Sequence, residues 1–256
     1  PVPSTPFKIG VLASLTGNWA SSGKDLQAGI ELALSKVNYT AGGRKIEVIY
    51  EDTQGDPNNA LAKARKLLEQ DKVQVVIGPN IASEGLALRD FFDKAGVPLM
   101  MAVVSADDLS QRQRSPWLIR SGWSSSQPTH AFGKWAYDQG YRKAICIAYD
   151  YAMGWESVGG FQKTFEQAGG QVIQKIWHPT GTNDFAPYIA QFAKDADVIF
   201  AQESGGDGTR FLKQYREFGL DKKYPLLAGG ILVDESVLKS MGDEALGIIT
   251  PLHWSA

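Results

Sequence analysis

The segments with the best claim to chemistry are glycine-containing loops that lead from an apolar run into a helical pattern. Gly17-Asn-Trp-Ala-Ser-Ser-Gly23-Lys24-Asp25 has the outline of a phosphate loop. Such a loop needs four residues between its glycines, then Lys and a Ser/Thr hydroxyl for Mg²⁺. Here five residues intervene and Asp25 replaces the hydroxyl, so the segment reads as a strand-to-helix loop whose helix is capped by Asp25. Gly205-Gly206-Asp207-Gly208 lacks the G-x-G-x-x-G spacing of a dinucleotide loop and reads as a flexible turn. Ser83 opens a helical pattern with Glu84 in its first turn. Its hydroxyl either caps the helix or, with the free N–H groups there, receives a carboxylate.

Nucleophilic and metal chemistry find little support. There is no G-x-S-x-G elbow. Cys146, the only cysteine, lies within an apolar strand pattern and reads as inert core; alone it excludes an intramolecular disulfide and a cysteine zinc site. His130, His178 and His253 have no metal-ligand spacing. His178, before Pro179, reads as a surface residue. Asp107 and Asp108 are adjacent and point apart on an extended segment, so they read as solvated charge. Trp19 is harder to set aside. It stands in the first loop beside Ser21 and Ser22, where it either packs at a hinge or contacts an apolar or aromatic ligand. Trp123 and Trp155 adjoin helix starts and read as packing residues.

The elements that must position these residues follow from hydrophobic period. Strands are expected at 8–13, 45–50, 73–77, 98–101, 144–149, 171–177, 197–201, 225–228 and 248–252. Helices are expected from Asp25, with Leu26, Ile30, Ala33 and Val37 inward, and from Asp56-Pro57, with Leu61, Ala64, Leu67 and Leu68 inward. Others are expected at 83–95, 155–168, 185–193 and 209–218. Strands alternating with helices imply βαβ units and parallel sheets. The polar stretch 105–127 reads as a crossover between two lobes. The run 73–100 and the run 197–227 share one order: strand, polar loop, helix, glycine, strand. Ligands of open α/β sheets bind beyond the carboxyl ends of the strands. The loops 78–83 and 202–208 are therefore expected to be binding edges facing a ligand cleft between the lobes.

Composition narrows the class further. The chain has 256 residues, 43% of them apolar and 21% charged, with 26 basic against 28 acidic residues. Those proportions suit a globular chain of one or two domains and exclude a disordered tail, a fibre or a coiled coil. The longest apolar run, Val97 to Val104, is too short to span a bilayer. No block of Lys and Arg provides a nucleic-acid footprint.

The opening Lys8-Ile-Gly-Val-Leu-Ala-Ser-Leu-Thr-Gly17, then Gly23, then Gln27-Ala-Gly-Ile-Glu-Leu-Ala33, resembles that of bacterial leucine/isoleucine/valine-binding proteins. These are type I periplasmic solute-binding proteins of ABC importers. Tyr50-Glu-Asp-Thr-Gln-Gly-Asp-Pro57, Val75-Val-Ile-Gly78, Gly96-Val-Pro-Leu99, Tyr149-Asp150 with Gly154, Phe185 and Gly219 carry the resemblance along the whole chain. It implies two Rossmann-like α/β lobes with parallel sheets flanked by helices, over residues 1–121 and 122–252. Residues 253–256 would begin a crossover back, and the first lobe would lack its usual C-terminal return segment. It further implies a periplasmic location with the signal peptide removed, no catalysis, no cofactor, no metal and no nucleic-acid partner. A monomer is expected, delivering a small ligand to an ABC permease in the inner membrane.

By position, the resemblance puts a ligand carboxylate against Asn80, Ile81, Ala82 and Ser83 and against Val104, Ser105 and Ala106. Ala82 stands where a hydroxyl is usual. Ser22 and Trp19 supply the first-loop contact; Tyr151, Met153 and Ser204 fall on the second lobe's matching positions. One departure matters. Amino-acid binders place an acid after the strand ending near Ala228 to pair with the ligand ammonium, and here Gly229-Gly230 occupies that place. A buried ammonium without a carboxylate is costly, although Glu203 could substitute. The expected ligand is a small carboxylate, either an aromatic acid without an α-amino group or an amino-acid-like compound. A cytoplasmic ligand-sensing regulator of the same fold and a nucleotide-binding α/β enzyme are the alternatives.

Overall fold

Strand β1 (Phe7–Ala13) is apolar at nearly every position because both of its faces are covered. Ile9, Val11 and Ala13 pack with Leu26 and Ile30 of helix α1 (Ala20–Ser35). Gly10, pointing the other way, lies against Leu67 of α2 (Pro57–Glu69), where an added Cβ would come 2.9 Å from a Leu67 methyl. Two helices on opposite faces of one strand is the α/β layering that the double-sided apolar run encodes. The computed structural model describes residues 5–252, and the chain divides into two compact units after Trp123.

In the first unit, β2 (Thr40–Ala41) forms a hairpin with β3 (Arg44–Asp52). It is followed by β4 (Val75–Ile77), α3 (Ala82–Ala95), β5 (Leu99–Met101) and β6 (Leu118–Arg120). The sheet order is β2-β3-β1-β4-β5-β6, parallel apart from β2. The chain moves from β1 to one side (β3) and then to the other (β4), so the topological switch point lies between β1 and β4.

The second unit contains α4 (Ser126–Asp138), β7 (Lys143–Tyr149), α5 (Ala152–Gln167) and β8 (Gln171–His178). The one-turn α6 (Ala186–Ile189), β9 (Val198–Gln202), α7 (Gly205–Glu217) and β10 (Leu226–Ala228) complete it. All four strands are parallel, in the order β10-β9-β7-β8, with the switch point between β7 and β9. Strand period again sorts the core. Ile145, Ile147 and Ile199 face Phe185, Phe211 and Tyr215, whereas Ala144, Cys146, Ala148, Val198 and Phe200 face Phe132, Phe161 and Phe165. Cys146 is fully buried and burial pushes its thiol well up, so it is inert, as its place in the strand pattern suggests.

Several expected boundaries shift. Helix α1 starts at Ala20 rather than Asp25, so Asp25 is an exposed interior residue and not the cap. Ala33 and Val37 are exposed; Leu34 joins the cluster instead. The first four residues of α7 are Gly205-Gly206-Asp207-Gly208, which was expected as a turn. Helix α5 begins at Ala152, and α4 has no counterpart among the expected helices. The helix expected over 185–193 shortens to one turn, and 248–252 supplies only a single parallel bridge, Leu227 to Ile249. Asp56 does cap α2, its Oδ1 accepting the Asn59 N–H at 2.7 Å with Pro57 in the first turn. The crossover expected at 253–256 lies outside the described residues. Among the described residues, no helix is long and apolar enough to cross a membrane.

Candidate functional site

Each unit presents a polar edge where its strands end around the switch point. In the first unit the ends of β1 and β4 are tied by one side chain: Ser14 N–H donates to Asn80 Oδ1 at 2.8 Å. Helix α1 lies so close to this edge that a Cβ on Gly23 would come 2.0 Å from the Ser14 carbonyl oxygen. Asp52, at the end of β3, accepts from Leu15 N–H at 2.9 Å and from the Thr16 hydroxyl at 2.6 Å, which anchors the first loop. Trp19 ends that loop as the residue before α1. Its ring lies over Gly55, whose left-handed φ of +75° and missing Cβ leave room for it.

Of the residues expected here, Asn80, Ile81, Ala82 and Ser105 are buried, while Ser22, Ser83 and Trp19 are half-buried. The residue before α3 is Ile81, so Ser83 is the second helical residue and not its cap. Val104 and Ala106 are fully buried, and Val104 presses on the first turn of α3, 2.5 Å from where a Gly85 Cβ would stand. The structure thus gathers 80–83 and 104–106 at one helix start, with Val104 turned into the protein. Asn80 Nδ2 is buried without a hydrogen-bond partner. Buried polar atoms are almost always satisfied, so an orphan donor at a sheet edge marks a place for an acceptor.

Behind it lies Glu84, a residue that sequence reasoning placed only as a favourable first-turn charge. Its side chain is fully buried, with the Thr53 hydroxyl and the Ile81 backbone nearby but short of hydrogen-bond geometry. Burial, helped by the charges of Asp56 and Asp52, pushes its carboxyl up to about 7.

In the second unit, Tyr149 joins the ends of β7 and β9. Its hydroxyl donates to the Ser204 carbonyl at 2.8 Å and accepts the Ser204 N–H at 3.2 Å. Tyr151 is the residue before α5; its ring lies 5.4 Å from that of Tyr149 and its hydroxyl 3.8 Å from the Met153 sulfur. A Cβ on Gly154 would come 2.1 Å from the Tyr149 carbonyl oxygen, the counterpart of Gly23 in the first unit. Trp155 is half exposed and donates to Asp150 Oδ1 at 3.0 Å.

Glu203 and His178 form the centre of this edge. Both side chains are fully buried, with Glu203 Oε1 2.8 Å from His178 Nε2. The surface position expected for His178 is therefore overturned. Loop 179–182 folds back over the strand end, and Phe185 and Tyr188 pack against the imidazole. The loop is held in turn by α7: the Gly181 N–H donates to Asp207 Oδ2 at 2.8 Å, and Arg210 Nε donates to the Thr182 carbonyl at 3.0 Å. Asp207 is fully buried and paired with Arg210. Burial pushes the Glu203 carboxyl up to about 7 despite the His178 bond. Burial pulls the His178 imidazole down, but the bond to Glu203 and its charge outweigh that, and the net direction is upward. Glu203 Oε2 and Ser204 Oγ are buried without partners.

Gly229 and Gly230 follow β10; at Gly230 the backbone of 251–252 leaves no room for a side chain, whereas at Gly229 the near atoms belong to the movable end of Gln202. A Cβ on Gly229 would stand 2.0 Å from the Gln202 amide oxygen; one on Gly230 would stand 2.6 Å from the Pro251 carbonyl and 2.5 Å from a Leu252 methyl. The packing of this edge thus excludes an acid at Gly230.

Comparison with known proteins agrees with this architecture. A profile of periplasmic binding proteins matches residues 6–256. The chain is 33% identical over 253 residues to Leu/Ile/Val-binding protein homolog 6 of Brucella abortus (strain 2308), covering 97% of this chain and 64% of that protein. It therefore spans less than two thirds of that relative's length. A solute-binding protein of an ABC transporter from Rhodopseudomonas palustris BisB5, solved in complex with 3,4-dihydroxybenzoic acid, is 34% identical with a TM-score of 0.88; the match covers 95% of this chain and 67% of the other. A second, from R. palustris in complex with benzoate, is 28% identical with a TM-score of 0.92, covering 98% and 69%. In sequence, in strand order and in fold, this chain belongs to the periplasmic binding protein family.

Proposed function

We propose that the protein is an extracytoplasmic solute-binding protein of an ABC importer. It takes up a small aromatic carboxylate with the strand-end edges of its lobes and delivers it to a permease, without catalysis. The observation that carries the ligand class is the glycine pair after β10. An α-amino acid needs a carboxylate beside its ammonium; here both positions are glycine, and at Gly230 the Pro251 carbonyl fills the space where such a side chain would start. In the first lobe, the orphan Nδ2 of Asn80 and the backbone at the start of α3 supply donors suited to a carboxylate, with Ser83 and Ser105 beside them. Trp19 and Tyr151, both half-buried, supply aromatic faces. The solved relatives that hold benzoate and dihydroxybenzoic acid support the same class.

Titration calorimetry of the purified protein with benzoate, hydroxybenzoates, leucine and valine tests this reading. Saturable binding of an aromatic acid with no heat from the amino acids is expected. A ligand at 100 times its Kd adds about 2.7 kcal/mol of stability, so a thermal-shift panel should rank the same compounds. Tight leucine or valine binding with none of the aromatic acids would sink the proposal.

A further inference from the structure

The orphan atoms of the second lobe define what they require once the protons of the buried pair are assigned from its hydrogen-bond network. His178 Nδ1 lies 3.0 Å from the Pro179 carbonyl, which can only accept, so we assign the proton to Nδ1. The Thr182 hydroxyl, 3.2 Å from the same nitrogen, already donates to that carbonyl at 2.7 Å and leaves this assignment unchanged. With Nδ1 protonated, the 2.8 Å contact between Nε2 and Glu203 Oε1 needs one further proton, carried either by the imidazole or by the carboxyl. In the first case Glu203 is a carboxylate beside an imidazolium. In the second it is a neutral acid donating from Oε1. Either way Oε2 only accepts, and the pair has no net charge.

The other buried charge at this edge, Asp207, is neutralised by Arg210. An incoming ammonium would therefore find no uncompensated carboxylate, whereas a neutral hydroxyl would find an acceptor in Glu203 Oε2. Ser204 Oγ, on the next residue, is also buried and unpartnered and offers a donor at the same strand end. Both groups follow β9 at the switch point, where ligands of open α/β sheets bind.

We propose that Glu203, oriented by His178, and Ser204 form a subsite for a neutral hydroxyl on the ligand, so that the protein selects ring-hydroxylated aromatic acids over unsubstituted ones and over acids bearing an ammonium. The proposal rests on the aromatic-carboxylate reading above. A site built to bond a hydroxyl rejects the analogue lacking it, because its own buried groups are then left unpaired.

The test is titration calorimetry with benzoate, 3-hydroxybenzoate, 4-hydroxybenzoate and 4-(aminomethyl)benzoate. The wild-type protein should bind one hydroxybenzoate at least about tenfold more tightly than benzoate, which is 1.4 kcal/mol, and the aminomethyl acid more weakly than either. Glu203→Gln, which keeps an acceptor toward the ligand while its amide N–H meets His178, should retain the preference. Glu203→Met should bring the hydroxybenzoate-to-benzoate affinity ratio toward one. Ser204→Ala, which leaves the buried pair untouched, should reduce it. Equal binding of benzoate and both hydroxybenzoates, or a preference that survives Glu203→Met and Ser204→Ala, overturns the subsite alone. Binding of no aromatic acid overturns the reading on which it rests.

Discussion

Glu203 Oε1 and His178 Nε2 lie 2.8 Å apart although the residues are separated by 25 positions and their strands are not neighbours. Strand β7 runs between them, and the Tyr149 ring, at its end, lies 5.1 Å from the imidazole. The pair therefore bridges the end of the second sheet and ties three strands together. Removing one partner leaves the other buried and alone. We expect His178→Ala to lower unfolding stability by about 2–4 kcal/mol in denaturant titrations. A loss under about 0.5 kcal/mol would mean that the pair is not formed in solution.

The pH dependence of stability follows from the same burial. Glu84 is held up to about 7 in the folded state by burial, and the buried Glu203–His178 pair keeps its shared proton to higher pH than the free groups would. Between their ordinary values and these raised ones, the folded protein binds more protons than the unfolded chain, so stability falls as pH rises through that window. On the acid side Glu51 works in the opposite direction. Its burial is outweighed by Lys63 and Lys66, which hold its carboxyl down, so its contribution is lost as pH falls through its folded value. The urea midpoint should therefore be higher near pH 5.5 than near pH 8. Glu84→Gln, which removes one of the raised groups, should lessen the decline.

Glycines in the two leading helices should divide sharply. Gly23→Ala and Gly154→Ala would each drive a methyl to about 2 Å from a backbone carbonyl at a strand end, costing at least about 2 kcal/mol. Gly29→Ala in α1 and Gly159→Ala in α5 meet nothing within 4 Å and should stabilise by about 0.5–1 kcal/mol. Thermal unfolding of the four variants checks both halves of the statement.

Asn80→Asp separates positioning from recognition. The aspartate keeps an acceptor for the Ser14 N–H but puts an oxygen where the orphan Nδ2 now stands. We expect the fold to survive and aromatic-acid affinity to fall by about a hundredfold or more, since a charged group loses its donor and meets a like charge. Undiminished binding in calorimetry would remove Asn80 from the ligand edge.

The βαβ class and most of the strands were legible in the sequence because their residues are buried on both faces, which writes a continuous apolar run into the chain. Cys146 and the Asp56 cap were legible for equally local reasons. Helix starts were harder. Helices α1 and α7 open with Ala20-Ser-Ser-Gly23 and Gly205-Gly-Asp-Gly208, whose small residues resemble a loop but are required where a helix packs on a strand end or on Leu232. Helix α4 interrupts its pattern with Pro128 and Gly133; the glycine allows an approach in which a Cβ would stand 2.1 Å from the Phe161 carbonyl.

The make-up of the strand-end edges was only half legible. Position along the chain marked Asn80, Tyr151, Glu203 and Ser204 as candidates, and all four stand at a strand end or helix start. Nothing local to Trp177-His178-Pro179 says that the imidazole turns inward to meet a carboxylate beyond an intervening strand. Sequence by itself determined which segments become strands and helices, because period and burial are properties of neighbours in the chain. The tertiary structure alone decided which polar atoms meet, which remain orphaned and which side chains have no room, because those depend on strand order and on the close approach of distant segments.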